Sequence, residues 1–288
     1  MSPDDKPFER PFGYYPHSTL KPEMLSHARR ELVDYTISLV LNLKPVGSGT
    51  LINVAGVDGI LTAHHVSQIV FEGKEKDLGI NCANYYHHLS VPISHLKHFV
   101  IGACDENTAR VGPDLAFIQI LDPRVLGTLR SKKSFFHLDK RKEVFDWLQS
   151  LPIRQLYRAM NWFIGGAPQE FSKSFTAQGE PILKESHFVG EATFLSITTR
   201  LEFDYVRLRL TAGYHNFPGQ YKGVSGGGIW LVPFTMDPDK GQQTARYIPF
   251  LAGVVYIQSA TQHHGRIITG HGPSSLYTTL VRHLREKH

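Results

Sequence analysis

Three short motifs place a histidine, an aspartate and a serine in an order that suits nucleophilic catalysis. They are Ile-Leu-Thr-Ala-His-His-Val (60–66), Pro-Asp-Leu-Ala-Phe-Ile (113–118) and Gly-Val-Ser-Gly-Gly-Gly (223–228). A serine hydroxyl is a weak nucleophile until a neighbouring base takes its proton, and an imidazole suits that task when a carboxylate fixes its tautomer. Glycines around the serine let the backbone turn sharply and point two N–H groups at one developing negative oxygen. The three motifs together predict a serine hydrolase site.

The same motifs, in the same order, resemble those of the trypsin-like serine proteases, and the resemblance covers roughly residues 37–284. The chain is most similar to bacterial members that lack disulfides. The resemblance implies that Ser225 is the nucleophile, His65 the general base and Asp114 the carboxylate that orients the imidazole. It also implies an oxyanion hole formed by the backbone N–H groups of Gly223 and Ser225.

Two of these assignments have local rivals. The chain has 16 histidines, and His64 stands next to His65. We favour His65 because the last histidine of the Thr-Ala-His-His segment matches the family motif. Asp105 is the nearby rival of Asp114, which we favour because an apolar strand-like segment follows it directly.

The elements that must position these residues are mostly short strands separated by Gly, Pro, Asn and Asp, which is typical of barrels or sandwiches. Strand-like segments lie at 37–43, 50–54, 59–62, 98–101, 115–120, 161–164, 191–199, 205–210, 229–233, 248–257 and 266–269. Apolar residues at helical spacing predict a helix at 22–33, helical character within 132–151, and a closing helix at 274–285.

With the resemblance, this pattern predicts an all-β fold of two antiparallel six-stranded barrels of the chymotrypsin type, with a helix at each end. The predicted division is a leader and helix (1–34), a first barrel (35–125), a linker (126–155) and a second barrel with the closing helix (156–288).

The composition limits which cellular compartment and which classes of partner are expected. The chain has 288 residues, a formal net charge of +5 and two cysteines, Cys82 and Cys104. Few cysteines and no visible secretory signal favour a cytoplasmic protein, and no apolar run is long enough to span a membrane. The basic excess is small apart from a cluster at 132–142, which disfavours nucleic acid as a partner. No metal-binding spacing is present, so we predict no metal and no cofactor.

The family pattern also raises the questions of specificity and control. Gly219, Tyr256 and Gln258 are the predicted residues of the substrate pocket. Where zymogen-type members have an aspartate before the nucleophile, this chain has Val224. We therefore predict activation without the N-terminal ion pair of zymogens, and an activating protein partner is one route of control.

The function predicted from the sequence is an endopeptidase that cleaves a restricted set of protein or peptide substrates. The main alternative is a binding module that kept the protease fold without turnover. A second alternative is an α/β-hydrolase-type esterase, because residues 223–227 also read Gly-x-Ser-x-Gly. Its acid and base would come from the downstream candidates Asp237, Asp239, His263, His264 and His271.

Overall fold

The computed structural model of the chain describes residues 22–82, 88–103, 112–150, 160–177, 180–210, 218, 220–237, 241–258 and 266–287. The strands are β1 (Thr36–Leu41), β2 (Lys44–Val54), β3 (Val57–Thr62), β4 (Asp77–Asn81), β5 (Leu89–Pro92), β6 (Leu96–Gly102), β7 (Leu115–Ile120), β8 (Phe136–His137), β9 (Asn161–Gly166), β10 (Lys173–Ala177), β11 (Glu180–Lys184), β12 (Phe188–Arg200), β13 (Phe203–Leu210), β14 (Gly228–Val232), β15 (Phe234–Asp237), β16 (Gly241–Tyr247), β17 (Phe250–Gln258) and β18 (Arg266–His271). The α-helices are α1 (Pro22–Asp34), α2 (His64–Glu72), α3 (Pro123–Lys132), α4 (Lys142–Ser150) and α5 (Val281–Lys287), and a π-helix (Ser275–Leu280) leads into α5.

The first half is a curled sheet with the strand order β5-β4-β1-β2-β3-β7-β6. All neighbours on this path are antiparallel, and the short β8 adds a parallel pairing to β2. β3 lies between β2 and β7, with Thr62 opposite Ala116. That register brings the end of β3 next to the start of β7, where the predicted base and carboxylate stand.

The second half is a closed antiparallel barrel with the strand order β12-β13-β18-β17-β14-β9. β14 pairs with both β9 and β17, so the residues just before β14 are held from both sides. Two additional hairpins, β10–β11 and β15–β16, form separate two-stranded sheets.

One hydrophobic core runs through both halves. Its largest fully buried side chains include Trp162, Trp230, Phe117, Phe163 and Phe250. The Trp230 ring of β14 packs against Tyr35 and Phe136 of the first half, with centroid separations of 5.2 and 5.3 Å. The two halves therefore share buried aromatic surface rather than meeting through polar contacts alone.

The two terminal helices are held to the rest of the fold in different ways. α1 buries Leu25, Ala28 and Leu32, as its apolar spacing predicts. At the other end, the buried Asp204 carboxylate accepts hydrogen bonds from the N–H groups of Ser274 and Ser275 at 3.0 and 2.7 Å. These N–H groups have no partner within the closing helix, so Asp204 acts as its cap.

The all-β, two-barrel prediction of the chymotrypsin type is confirmed, with helices at both ends. The first half differs in detail, because its described pairings form a curled eight-stranded sheet and not a closed six-stranded ring. The α/β-hydrolase alternative needs a parallel sheet, and this antiparallel architecture contradicts it. The closing helix is a π-helix from Ser275 to Leu280 before it continues as α5, and the segment 132–151 contains α4 only from Lys142 to Ser150.

Two helices were not predicted. α2 follows β3 directly, and α3 begins after Asp122, whose Oδ1 accepts the Arg124 N–H at 2.8 Å. Across the described residues, no helix combines the length and the apolar character needed to cross a membrane.

Candidate active site

His65 lies in the first turn of α2, three residues after the end of β3. Ala63 before it and Val66 after it are fully buried, whereas 42% of the His65 side chain is exposed. The buried neighbours fix the backbone while the imidazole remains open to solvent and to a substrate. The ring of the rival His64 stacks on His98, with the ring centroids 6.2 Å apart.

Asp114 stands immediately before β7 and holds His65 through both carboxylate oxygens. Its Oδ2 is 2.6 Å from His65 Nδ1, and its Oδ1 accepts the His65 backbone N–H at 2.8 Å. Burial by itself would raise the pKa of Asp114, but the hydrogen bonds and the charge of His65 outweigh it and leave this pKa lowered. The ionised carboxylate therefore keeps the proton of a neutral His65 on Nδ1 and leaves Nε2 free to act as a base.

His271, at the end of β18, supports Asp114 from behind. Its Nε2 accepts the Asp114 backbone N–H at 2.9 Å, so the ring is held in the neutral form with its proton on Nδ1. The ring is fully buried and packs against Tyr205 and Tyr256, with centroids 5.3 and 5.2 Å away. Burial lowers the pKa of His271 to about 4. In the sequence, this residue is a candidate only within the α/β-hydrolase alternative.

The neutral, buried His271 predicts a loss of stability in mild acid. Its pKa in the folded state lies below the ordinary value of 6.5, so the unfolded chain takes up the proton first as pH falls. The neutral His271 contributes about 3 kcal/mol to the free energy of unfolding above pH 6.5. This contribution is lost as the pH falls from 6.5 to about 4. We expect His271→Gln, whose amide oxygen can still accept the Asp114 N–H, to flatten this part of the stability–pH curve in urea titrations. An equal slope in both proteins would contradict this role.

Ser225 lies in the tight loop that leads into β14. The Ser225 carbonyl oxygen accepts the Ser48 N–H at 2.7 Å, and the Gly226 N–H donates to the Val255 carbonyl at 2.7 Å. Gly223 and Gly226 have φ values of +92° and +89°, a region that favours glycine. The repeated glycines of the third motif are thus required by the shape of this loop.

The Ser225 loop lies against the residues that flank His65. A Cβ atom on Gly226 would overlap Thr62 Oγ1, at the end of β3. A Cβ atom on Gly47 would lie 2.6 Å from the Val66 side chain and 3.2 Å from the Ser225 carbonyl oxygen. The loop and the start of α2 are therefore packed together across the junction of the two halves.

Of the three predicted catalytic residues, the structure joins His65 and Asp114 directly. The Ser225 hydroxyl donates to the Tyr256 carbonyl at 3.3 Å and, among the described residues, makes no hydrogen bond with His65. A bond of that length is weak, and a serine hydroxyl changes rotamer on the picosecond to nanosecond timescale. Catalytic hydrogen bonds of this kind commonly tighten only when a substrate is bound.

The N–H groups of Gly223 and Ser225 are oriented by the carbonyls that precede them. The Lys222 carbonyl accepts the Gln169 N–H at 2.8 Å, and the Val224 carbonyl accepts the Gly227 N–H at 2.8 Å. In a trans peptide the N–H points opposite to the C=O, so both N–H directions are set. Within the part of the chain that the structure describes, neither N–H has a hydrogen-bond partner, which leaves both available to an oxyanion.

The predicted pocket residues have different surroundings. The Tyr256 ring is buried beside His271, and the Gln258 Oε1 accepts the Tyr221 N–H at 3.1 Å. An open cavity of about 560 Å³ lies nearby, lined by Gln169, Glu170, Gln220, Lys222 and Arg266. Predicted candidates that lie outside the described residues are Gly219, Asp105, Asp239, His263 and His264.

Val224 occupies the position where an ion pair would be expected in zymogens. Its side chain is 1% exposed, and a Cβ atom on Gly166 would lie 2.8 Å from its Cγ1. The site is therefore apolar and closely packed. Over the described residues, no group of three or more His, Cys, Asp or Glu side chains is arranged to hold a metal ion.

Comparison with known proteins gives similarity at the level of the fold. No family model and no curated protein matches the sequence. Among solved structures, neuropsin, a serine protease expressed in the limbic system of mouse brain, is 12% identical, covers 88% of this chain and 94% of its own, and gives a TM-score of 0.45. Human heparin binding protein is 12% identical, with coverages of 90% and 93% and a TM-score of 0.47. The serine protease domain of the Sesbania mosaic virus polyprotein is 11% identical, with coverages of 86% and 91% and a TM-score of 0.40.

The fold and the motif order together define a protein with the chymotrypsin fold. The two halves, the motif order and the buried carboxylate behind the imidazole are consistent with one another.

Proposed function

We propose that the protein is a serine endopeptidase in which Ser225, His65 and Asp114 form an acyl-enzyme with a peptide substrate. The observation that carries this proposal is the 2.6 Å contact between His65 Nδ1 and the buried Asp114 Oδ2, next to the loop of Ser225. A carboxylate with 2% exposure is costly to bury without a partner, so its place behind an exposed imidazole favours a catalytic pair.

In the proposed acylation, Ser225 Oγ attacks the scissile carbonyl carbon and His65 Nε2 takes the hydroxyl proton. The carbonyl π bond becomes an oxyanion, which the Gly223 and Ser225 N–H groups stabilise, at about 3 kcal/mol for each donor. His65 then gives its proton to the leaving amine as the C–N bond breaks. Water hydrolyses the ester by the same sequence, with His65 acting again as base and then as acid.

The finer parts of the proposal are substrate restriction, control and location. The lining of the open cavity carries two cationic side chains, Lys222 and Arg266, against one carboxylate, Glu170, and this balance does not favour cationic substrate side chains. Val224 supports control without the zymogen ion pair, through an activating protein partner or through the loops of the site. A cytoplasmic location, supported by the small number of cysteines, belongs to the same proposal.

A catalytically silent binding module is the second candidate function. The observation that favours it is the Ser225 hydroxyl, which faces the Tyr256 carbonyl and not His65. The two candidates differ in one respect, because only the enzyme needs the hydroxyl to move onto His65.

Peptide cleavage distinguishes the two functions. We expect the wild-type protein, incubated with a proteome-derived peptide library, to generate new peptide termini with a consistent residue before the cut. The matched Ser225→Ala protein should generate none, because the nucleophile is missing while the loop keeps its backbone bonds. Termini that appear equally with both proteins would contradict the proposal, and peptide retention without cleavage would favour the binding module.

A further inference from the structure

Ser48 belongs to β2 of the first half, but its hydroxyl lies among backbone groups of the second half. The residue is fully buried. Its Oγ donates to the Gly223 carbonyl at 2.6 Å and accepts the Ala167 N–H at 2.8 Å. Its own N–H donates to the Ser225 carbonyl at 2.7 Å, and its carbonyl accepts Thr62 Oγ1 at 2.8 Å. Every polar group of Ser48 is therefore engaged, which fixes the hydroxyl in space.

These bonds hold both ends of the segment 223–225. Ser48 Oγ fixes the peptide plane after Gly223, and Ser48 N–H fixes the plane after Ser225. The plane before Gly223 is fixed by Gln169, whose side-chain Nε2 in turn donates to the Pro45 carbonyl at 2.8 Å. Because the glycine at 223 has φ +92° and little intrinsic preference, its N–H direction depends on such external contacts.

The side chain between the two donors is apolar and not charged. Val224, between the two donors, is buried against Gly166 in an apolar setting. An unpaired Gly223 carbonyl or Ala167 N–H at this depth would be costly, so loss of the Ser48 hydroxyl would drive the segment to find another arrangement.

We propose that Ser48 is the positioning residue that holds, from the opposite barrel, the two peptide planes that follow Gly223 and Ser225, and so keeps the oxyanion donors of these two residues in their productive arrangement. The inference rests on the proposed function for its catalytic consequence. Its structural content, that Ser48 sets the orientation of the Gly223–Val224 peptide, can be tested without activity.

The test compares Ser48→Ala with Ser38→Ala. Ser38 is an equally buried serine on β1, where it pairs with Ser48 of the neighbouring strand β2. Its hydroxyl donates to Glu185 at 2.8 Å, away from the 223–225 segment. The measurement is the second-order rate of Ser225 phosphonylation by a fluorophosphonate as a function of pH, because the phosphoryl oxygen uses the same donors.

We expect Ser48→Ala to lower the rate by about 10- to 100-fold, less than or close to the loss of one donor. The midpoint of its pH profile should stay that of the wild type, because the His65–Asp114 pair is untouched. Ser38→Ala should react within about threefold of the wild type. Equal rates for the two variants, or a shifted midpoint in Ser48→Ala, would overturn the proposal, since either result would indicate general loosening.

A crystal structure of Ser48→Ala separates this inference from the proposed function. If the wild type does not react at Ser225, the proposed function fails, and the position of Gly223 then decides the inference by itself. A Gly223–Val224 peptide whose carbonyl has rotated away from residue 48 supports the positioning role, and an unchanged peptide overturns it.

Discussion

Replacing Asp114 with asparagine is expected to slow acylation of Ser225 by about 10⁴-fold while the protein stays folded. The oxygen of the new side-chain amide could still accept the His65 backbone N–H, as Asp114 Oδ1 does at 2.8 Å. The amide NH₂ would then replace Oδ2 beside His65 Nδ1, and two donors cannot share that contact. The imidazole would have to move its proton to Nε2, the atom that must take the Ser225 proton.

The surface offers a matched control for this substitution. Asp122 Oδ2 is 3.1 Å from His95 Nδ1, and Asp122 also caps the start of α3 through Oδ1. Asp122→Asn changes the same atoms in the same kind of pair, away from Ser225, and should leave fluorophosphonate labelling unchanged. A labelling rate for Asp114→Asn within tenfold of the wild type would show that His65 does not depend on Asp114.

Replacing Gly226 with alanine is expected to cost about 3–5 kcal/mol of unfolding free energy, a large part of the stability of a typical domain. The residue has φ +89°, and a Cβ atom there would overlap the Ser48 carbonyl oxygen and Thr62 Oγ1. Both atoms are part of the hydrogen bond from Thr62 to Ser48 at 2.8 Å, so neither can move freely. The shift in the midpoint of urea denaturation measures the cost.

Substitutions at two other glycines separate the cost of backbone strain from the cost of steric overlap. Gly56 has φ +80° with open space around its Cβ position, so Gly56→Ala should cost only about 1 kcal/mol. Gly127, on the exposed face of α3, has neither problem, and Gly127→Ala should stabilise the protein by about 0.5–1 kcal/mol. A loss of unfolding free energy in Gly226→Ala no larger than that in Gly56→Ala would contradict the close packing of the Ser225 loop against β3.

The sequence predicted the elements whose pattern is local and strong. β7 occupies residues 115–120 as predicted, since Asp114 precedes an uninterrupted apolar run. The helix α1 was likewise visible from its apolar spacing. α2 and α3 were missed because each follows a strand directly and is only nine or ten residues long. Isolated helices of that length are marginal, so packing and not propensity decides them.

The candidate site was predictable as far as residue type and order, because His65, Asp114 and Ser225 stand in recognisable motifs. The supporting contacts were not. Asp114 and His271 are 157 positions apart, and Ser48 and Gly223 are 175 apart. Their pairing depends on how the two halves pack, and a single serine in a strand or a single histidine at a strand end gives no signal of it.

Covalent labelling shows without a known substrate whether Ser225 is a nucleophile activated by His65. The purified wild-type protein, Ser225→Ala and His65→Ala, each shown to be folded by circular dichroism, would be treated with a fluorescent fluorophosphonate and mapped by mass spectrometry. We predict one phosphonylated residue, Ser225, in the wild type, with labelling abolished in Ser225→Ala and strongly reduced in His65→Ala. A folded wild type that takes up no label, or label that persists in Ser225→Ala, would contradict the claim.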